Sequence, residues 1–409
     1  MNDAASRAIA ITGMGAISAF GEGAETLWAA LREGRSGIRP LRHERAADLR
    51  VRVAAQVPES FDPAAHFPER QLSMLDRTSQ FALVAANEAI AQSGLDFAAN
   101  GLGLRTAVVV GTGVGGETTQ DEQSRRLYAE NASRLHPLSI VRLMTNAPTS
   151  QISMAHGLRG PAFAVASACA SSNHAIAQAA LMIRAGLVDV AVAGGTEACL
   201  SFGAMRAWEA MRVLADDTCR PFSANRRGLV LGEGAGVFVL ESMAHARARG
   251  AQVLGVLAGV GMSADAGDIV APDPAGSASA MTQALADAGL SPGDIDYINA
   301  HGTGTPANDP TETTAIHHVF GTHAPKLAVS STKSMHGHAL GASGALELVA
   351  VLGAIRDGVV PPTANLDAPD PACDLDYVAN TPRELRVRAA LSNSFAFGGL
   401  NAVLAVRAP

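Results

Sequence analysis

Ala86-Asn-Glu-Ala-Ile-Ala-Gln-Ser-Gly-Leu95 leads through a loop to Thr106-Ala-Val-Val-Val-Gly-Thr-Gly113, and Thr282-Gln-Ala-Leu-Ala-Asp-Ala-Gly-Leu290 leads to Tyr297-Ile-Asn-Ala-His-Gly-Thr-Gly304. Each reads as a helix closed by Gly-Leu, then a loop, a buried strand and a Gly-Thr-Gly turn. A second pair follows in the same order. Val165-Ala-Ser-Ala-Cys169 opens a helix ending near Ala185-Gly-Leu-Val188, and Val329-Ser-Ser-Thr-Lys333 opens a stretch ending near Asp357-Gly-Val-Val360. The weakest pair is Ile9–Ser18 with Leu254–Ser263, each a strand followed by Gly, Met and Ser. βα units resemble one another by composition, but three ordered matches point to two copies of one half. The halves are residues 1–250 and 251–409, joined near 245–255. Packed about a pseudo-twofold, they would place Cys169 and Lys333 in equivalent turns facing one central cleft, with a Gly-Thr-Gly turn approaching from each side.

The remaining elements alternate in the same way, which indicates an α/β fold. A strand at Ala8–Thr12 is expected to end at Gly13 and Gly15, and helices at Thr26–Glu33 and at Phe81–Ser93, the latter stopped by Gly94. Strands are expected at Ala164–Ser167 and at Val188–Ala193, the latter closed by Gly194-Gly195. Residues 117–160 are more polar and irregular, and read as a lid or interface insertion.

Composition agrees with a large packed core. Of 409 residues, 48% are hydrophobic, 17% charged and 4% aromatic, with 41 glycines. That excludes a disordered chain, a coiled coil and a collagen-like repeat. A net charge of −7, from 31 basic and 38 acidic residues, argues against wholesale nucleic-acid binding. Cysteines at 169, 199, 219 and 373 match neither a zinc cluster nor a small disulfide framework, so a reducing cytoplasm is expected. Met1–Arg7 is polar, and glycine or charge interrupts the apolar runs, so neither a signal peptide nor a membrane span is expected.

Cys169 stands between an apolar strand and a helix, in Ala166-Ser-Ala-Cys-Ala-Ser-Ser-Asn-His174. Helix N-terminal dipoles favour a thiolate, and a sharp strand-to-helix turn presents a nucleophile. A buried structural cysteine is the alternative. His301 follows a strand in His-Gly-Thr-Gly-Thr-Pro, and His338 lies in Lys333-Ser-Met-His-Gly-His338, also just past a strand. His174, His317, His318, His323 and His336 read as structural or exposed, His336 being the nearest to the proposed site. Gly111-Thr-Gly-Val-Gly-Gly116 formally fits a dinucleotide fingerprint, but no second strand with an acidic end follows, so nucleotide binding is rejected. Gly232-Glu-Gly-Ala-Gly236 reads as a bulge or a close-packed strand, and Asn393-Ser-Phe-Ala-Phe-Gly-Gly-Leu-Asn401 as a turn whose free N–H could face an anion.

Together these motifs resemble the elongating β-ketoacyl-acyl-carrier-protein synthases of type II fatty acid and polyketide assembly, within the thiolase superfamily. The resemblance runs from Ile11-Thr-Gly-Met-Gly to Phe397-Gly-Gly, through Ser167-Ala-Cys-Ala, Gly194-Gly-Thr-Glu, Arg220-Pro-Phe and the two histidine motifs. It implies a thiolase-like fold of two duplicated halves in five α-β-α-β-α layers, the first half carrying the cysteine and the second the His/His/Lys set.

The resemblance also implies roles. Cys169 would take the acyl chain as a thioester, and malonyl-carrier would then lose carbon dioxide. His301 and His338 would hold its thioester oxygen, and the N–H groups of Cys169 and Phe397 the tetrahedral oxyanion. Lys333 would organise the site electrostatically, Glu347 would orient that network, and Asp309 would help position the Lys333 region. Phe397 would act as a gate, and Val114 and Phe202 would line the acyl pocket. Neither metal nor organic cofactor is implied. Arg70, Arg134 and Arg212 would dock an acidic acyl carrier protein, on a surface weakened by Ser73 and Met74, where the family is usually basic. A homodimer, or a heterodimer with a chain-length subunit, is expected.

Three positions depart from the common pattern: His336 for Thr, Asn308 for Gly and Leu400 for Thr. Such changes are similar to those of specialised synthases in polyene or nodulation-signal pathways, so both a primary elongase and a dedicated pathway enzyme stay open. A non-catalytic chain-length subunit would lack Cys169. A thiolase would carry a second cysteine where Phe397-Gly-Gly stands, and a starter synthase would have Asn in place of His338.

Overall fold

The computed structural model describes residues 8–409. The polar stretch Met1–Arg7 read above lies outside the described residues. In the first half the strands are β1 (Ile9–Ser18), β2 (Thr106–Gly111), β3 (Ala162–Val165), β4 (Val190–Glu197) and β5 (Gly234–Ser242). In the second they are β6 (Gly255–Ala264), β7 (Tyr297–Asn299), β8 (Ala328–Ser330), β9 (Ala389–Ala396) and β10 (Leu400–Arg407). Helices of the first half include α1 (Ala24–Arg32), α2 (Arg77–Ser93), α3 (Glu117–Tyr128), α4 (Ser139–Leu143), α5 (Ala147–His156), α6 (Ser171–Arg184) and α7 (Phe202–Met211). The second half adds α8 (Pro274–Ala288), α9 (Asn308–Phe320) and α10 (Ser343–Asp357).

The sheet order is β8-β7-β9-β10-β6-β1-β5-β4-β2-β3, with Gly21–Glu22 also pairing β1. Outward from the β1/β6 junction, the two sides read β1-β5-β4-β2-β3 and β6-β10-β9-β7-β8. The same chain order and the same senses recur. β2 is parallel to β3 and β4, as β7 is to β8 and β9, while β5 and β10 run antiparallel to their neighbours. The weakest sequence match therefore names the two central strands, which pair through Ile9–Ile11 and Gly255–Leu257.

Strand parity builds the layers. Val108, Val110, Val190 and Val192 point outward onto α2 and α5, around Phe81, Ala85 and Ile152. Their neighbours Ala107, Val109, Ala191 and Ala193 point inward onto α6 and α10. From the other side, Ala328, Ala390, Leu404 and Val406 close on the same two helices. Ile298, Leu391 and Val403 face α8 and α9 beyond. Five layers result, with α6 and α10 at the centre.

Three expectations change. β1 does not end at Gly13 and Gly15 but runs through them to Ser18. A Cβ on either would sit 2.0 Å from Ala89 O or 2.1 Å from Ala85 O, so these glycines admit the α2 backbone rather than turn the chain. β4 likewise continues through Gly194-Gly195, where Gly194 faces the Gly236 carbonyl across β5. Residues 117–160 are not irregular but hold α3, α4 and α5. α3 carries almost no apolar face, so no helical period shows in its sequence. Polar docking holds it instead: Asp76 accepts from Thr118 and Thr119, and Asp121 accepts from Gly203 N–H.

Candidate active site

Between β3 and α6 the chain makes a strained corner. Ala168 has φ +48°, a left-handed conformation unfavourable for alanine, and one side chain pins it. Ser171 Oγ accepts from Ser167 N–H at 2.9 Å and donates to the Ala168 carbonyl at 2.7 Å. The corner turns Cys169 into the gap between the halves. Its N–H and that of Phe397 both approach the sulfur and favour its charged form, as does the Lys333 ammonium. Burial outweighs them and pushes the thiol up to about 12. Burial thus works against the thiolate that the N–H groups and the ammonium favour.

His301 leaves the end of β7 in a turn suspended from α9. Glu312 accepts the N–H groups of His301 and Gly302, each at 2.8 Å. Asp309 accepts from Gly304 N–H at 3.2 Å and from Phe222 N–H at 2.7 Å. Asp309 thus ties the His301 and Phe222 turns together and makes no hydrogen bond to the Lys333 turn. Burial raises both acids, Asp309 to about 6.

Lys333 and Glu347 are both fully buried and form an ion pair. The ammonium also donates to the His301 carbonyl at 2.7 Å. Burial pushes Glu347 up to about 7 while Lys333 pulls it down. Removing either partner would strand a buried charge, which typically costs ~3–5 kcal/mol.

His338 has its tautomer set by its surroundings. Leu340 N–H donates to Nδ1 at 3.2 Å, and Ser343 Oγ lies 2.8 Å from the same atom. Burial, with Lys333 and His336 nearby, drives the imidazole well below its usual range and keeps it neutral. With Nδ1 accepting, the single proton sits on Nε2. His301 is neutral for the same reasons, burial first, then Lys333 and His338. The two rings stand edge to face at 5.4 Å, and ligand atoms of Cys169, His301 and His338 lie within 4.8 Å of one another. Thiol and imidazole donors also suit a soft metal ion, but the adjacent Lys333 charge opposes a divalent cation here.

These groups line a cleft of about 220 Å³, with Phe395 and Phe397 on one wall and Arg212 and Arg227 at its rim. Phe397 heads the β9–β10 turn and lies 6.2 Å from the Trp208 ring. Val114 and Phe202 do not line this cleft. Val114 is 46% exposed, and Phe202 lies under Arg45, whose guanidinium is 3.7 Å from the ring centroid. Phe202 does pack on the apolar cluster that contains Cys169. Arg70 and Arg134 are exposed but away from the cleft lining.

The N-terminal domain model of the beta-ketoacyl synthases matches residues 6–246, and the C-terminal domain model matches residues 254–367. The chain belongs to the beta-ketoacyl synthase family. Nodulation protein E of Rhizobium meliloti is 51% identical over 401 residues, covering 98% of this chain and 99% of that protein. The 3-oxoacyl-[acyl-carrier-protein] synthase 2 of Coxiella burnetii is 40% identical over 406 residues, covering 97% and 98%. Among solved structures, the ishigamide ketosynthase/chain length factor superposes with a TM-score of 0.93 at 37% identity, covering 99% of this chain and 100% of that one. The protein is a ketosynthase, an acyltransferase of decarboxylative Claisen type on a thiolase-like fold.

Two buried acids of this ketosynthase escape a reading of the sequence for function. Glu312 holds the His301 turn, and only its position eleven residues beyond His301, on the next helix, hints at it. Glu197 accepts from Gly113 N, Val114 N, Gly341 N and Thr112 Oγ1 and thereby joins the halves behind Cys169. Burial raises it to about 7. Its place in Gly194-Gly-Thr-Glu197, at the end of β4, is the one local signal. Among the described residues, no helix is long and apolar enough to cross a membrane.

Proposed function

We propose that Cys169 is the acyl-accepting nucleophile, His301 and His338 the enolate-stabilising pair, and the N–H groups of Cys169 and Phe397 the oxyanion hole. The convergence of one thiol and two neutral imidazoles within 4.8 Å carries this reading. The Cys169 sulfur attacks an acyl-carrier thioester, and its proton leaves with the displaced carrier thiol. Malonyl-carrier then enters and its carboxylate departs as carbon dioxide, leaving the electron pair as a thioester enolate. Nε2–H of His338 and His301 donate to the enolate oxygen, as hydrogen-bond donors rather than acids, because burial keeps both rings neutral. The carbanion attacks the acyl carbonyl, the oxyanion forms against the two backbone N–H groups, and collapse expels the Cys169 thiolate. The product is a 3-oxoacyl-carrier. Lys333, clamped by Glu347 and the His301 carbonyl, supplies positive potential beside the sulfur.

The carrier protein docks at the cleft mouth, where Arg212 is already at the rim, with Arg70 and Arg134 as outlying contacts. Residues 1–250 supply the nucleophile and 251–409 the His/His/Lys set. Phe397 gates entry, Val114 and Phe202 border the far part of the acyl chain, beyond the cleft that holds Cys169, and Asp309 positions the site at one remove, through the His301 turn. Ile140, Val141 and Met154 are 65%, 56% and 67% exposed on α4 and α5, beside the edge strand β3, and form the dimer face. The protein works in the cytoplasm.

Higher identity to Nodulation protein E than to a 3-oxoacyl synthase 2, 51% against 40%, favours a dedicated pathway over primary elongation. The ishigamide neighbour, a ketosynthase paired with a chain length factor, keeps a heterodimer as a second reading. Incubation with malonyl-carrier and acyl primers graded in length and saturation, followed by product identification, tests both. Equal use of all saturated primers by the homodimer would refute the dedicated assignment. Acyl adducts on Cys199, Cys219 or Cys373 in place of Cys169 would refute the site.

A further inference from the structure

We infer that Asn308 is a positioning residue for His301: its side-chain amide bridges the two buried carboxylates from which the His301 turn hangs and keeps both as anionic acceptors. Asn308 opens α9, so Asp309 is its neighbour and Glu312 lies one turn on, over the same face. Asn308 Nδ2 is 3.2 Å from Asp309 Oδ1 and 3.5 Å from Glu312 Oε2. Those two acids receive three consecutive-turn donors, His301 N–H, Gly302 N–H and Gly304 N–H. A single neutral amide therefore stands between two like charges whose remaining lone pairs carry the catalytic turn. The residue is almost fully buried, at 9% exposure, yet borders the cleft together with Thr303 and Thr305. Its own N–H donates to Thr305 Oγ1 at 3.2 Å, which fixes the start of the helix.

The surroundings leave this amide a distinct task. Around the two acids stand the Lys333 ammonium and the Arg226 guanidinium, the Glu347 carboxylate, the Cys219 and Cys373 thiols and the Tyr377 hydroxyl. Arg226 is engaged by Asp370 and Lys333 by Glu347. Asp309 and Glu312 repel one another, and Asn393 Nδ2, which also donates to Met281 Sδ, reaches just one of the two acids, at Glu312 Oε1 (3.2 Å). Of the side chains hydrogen-bonded to them, Asn308 alone among the described residues touches both. A protonated Asp309 or Glu312 would lose acceptor strength toward the turn, and the His301 ring would lose its aim at the substrate oxygen.

The inference rests on the proposed role of His301, and the test separates the two. Malonyl-carrier decarboxylation by the full-length protein is measured from pH 5 to pH 9 for wild type, Asn308→Ala, Asn308→Ser and His301→Ala. Without the amide both acids hold protons to higher pH, so the acid limb of Asn308→Ala moves up by about one pH unit, the size expected for one lost hydrogen bond to a charged group. At pH 8.5, where the acids are ionised, its rate stays within about threefold of wild type. Asn308→Ser keeps a donor and shifts less. An unmoved acid limb, a uniform loss at every pH, or a rise in KM alone would overturn the inference, the last by making Asn308 a substrate contact. Undiminished decarboxylation by His301→Ala would instead overturn the enolate role of His301. Thermal melts at pH 8.5 establish that the variants are folded; should Asn308→Ala not fold, the acid limb of Asn308→Ser decides.

Discussion

The proton on His338 Nε2 gives the sharpest test of the site. The Leu340 N–H at 3.2 Å occupies the Nδ1 lone pair, and burial keeps the ring neutral, so the ring has one donor to offer the cleft. His338→Ala removes that donor. In open water a neutral hydrogen bond contributes only about 0.5–1.5 kcal/mol, roughly a tenfold effect. Here the proposed acceptor is an enolate oxygen in a cleft lined by Phe395 and Phe397. A preorganised donor to developing negative charge in such a place is worth about 3–4 kcal/mol, or 10²–10³ in rate. The assay is carbon dioxide release from malonyl-carrier without acyl primer, with acylation of Cys169 followed separately by mass spectrometry. Decarboxylation should fall by about 10²–10³ while acylation falls far less, because no enolate forms in that step. His338→Gln, whose amide N–H extends in the Nε2 direction, should recover part of the loss. A fall below tenfold, or equal losses in both half-reactions, would refute the tautomer argument.

Further outcomes follow from the same geometry. Cys169→Gln should abolish condensation but retain malonyl decarboxylation, measured as product against carbon dioxide; surviving condensation would remove Cys169 as nucleophile. Lys333→Met and Glu347→Leu should each lower stability by about 3–5 kcal/mol, and the double variant by less than the sum of the two, because the pair is fully buried. Strictly additive losses in Tm would show that the two charges do not depend on one another. His336 is held down to about 3 by burial, so its contribution to stability is present above pH 6.5 and lost as pH falls toward 3. His336→Gln should therefore spare about 2 kcal/mol of the loss between pH 7.5 and pH 5, taking one pKa unit as about 1.4 kcal/mol. Parallel Tm-against-pH curves for variant and wild type would contradict this.

Much of the architecture is legible in one dimension because duplication repeats local signals. The Gly-Leu helix stops at Leu95 and Leu290 are each one residue beyond a left-handed glycine, Gly94 and Gly289, and the chain needs that conformation in both halves. The glycines inside β1 and β4 misled for an equally physical reason. A glycine that admits a neighbouring backbone carries the same letter as one that turns the chain, and only the packed partner distinguishes them. α3 stayed hidden because its stability comes from Asp76 and Gly203 rather than from an apolar stripe.

The site divides along the same line. Residue type and position at strand ends single out Cys169, His301, His338 and Lys333, because a thiol, imidazoles and an amine in Gly-rich turns have few structural uses. Glu312 and Glu197 look like any surface acids until the fold buries them. Glu197 meets Gly341 across 144 residues of chain, a contact no local pattern announces. The ionisation of the site belongs wholly to the tertiary structure. A sequence suggests a thiolate at a helix start, yet desolvation lifts the Cys169 thiol to about 12 and holds both histidines neutral. The duplicated α/β order and the chemical groups at its turns are written along the chain, since they depend on neighbours in sequence. Which acids hold the turns, where the His338 proton sits and how strongly burial opposes charge emerge with folding, since they depend on neighbours in space.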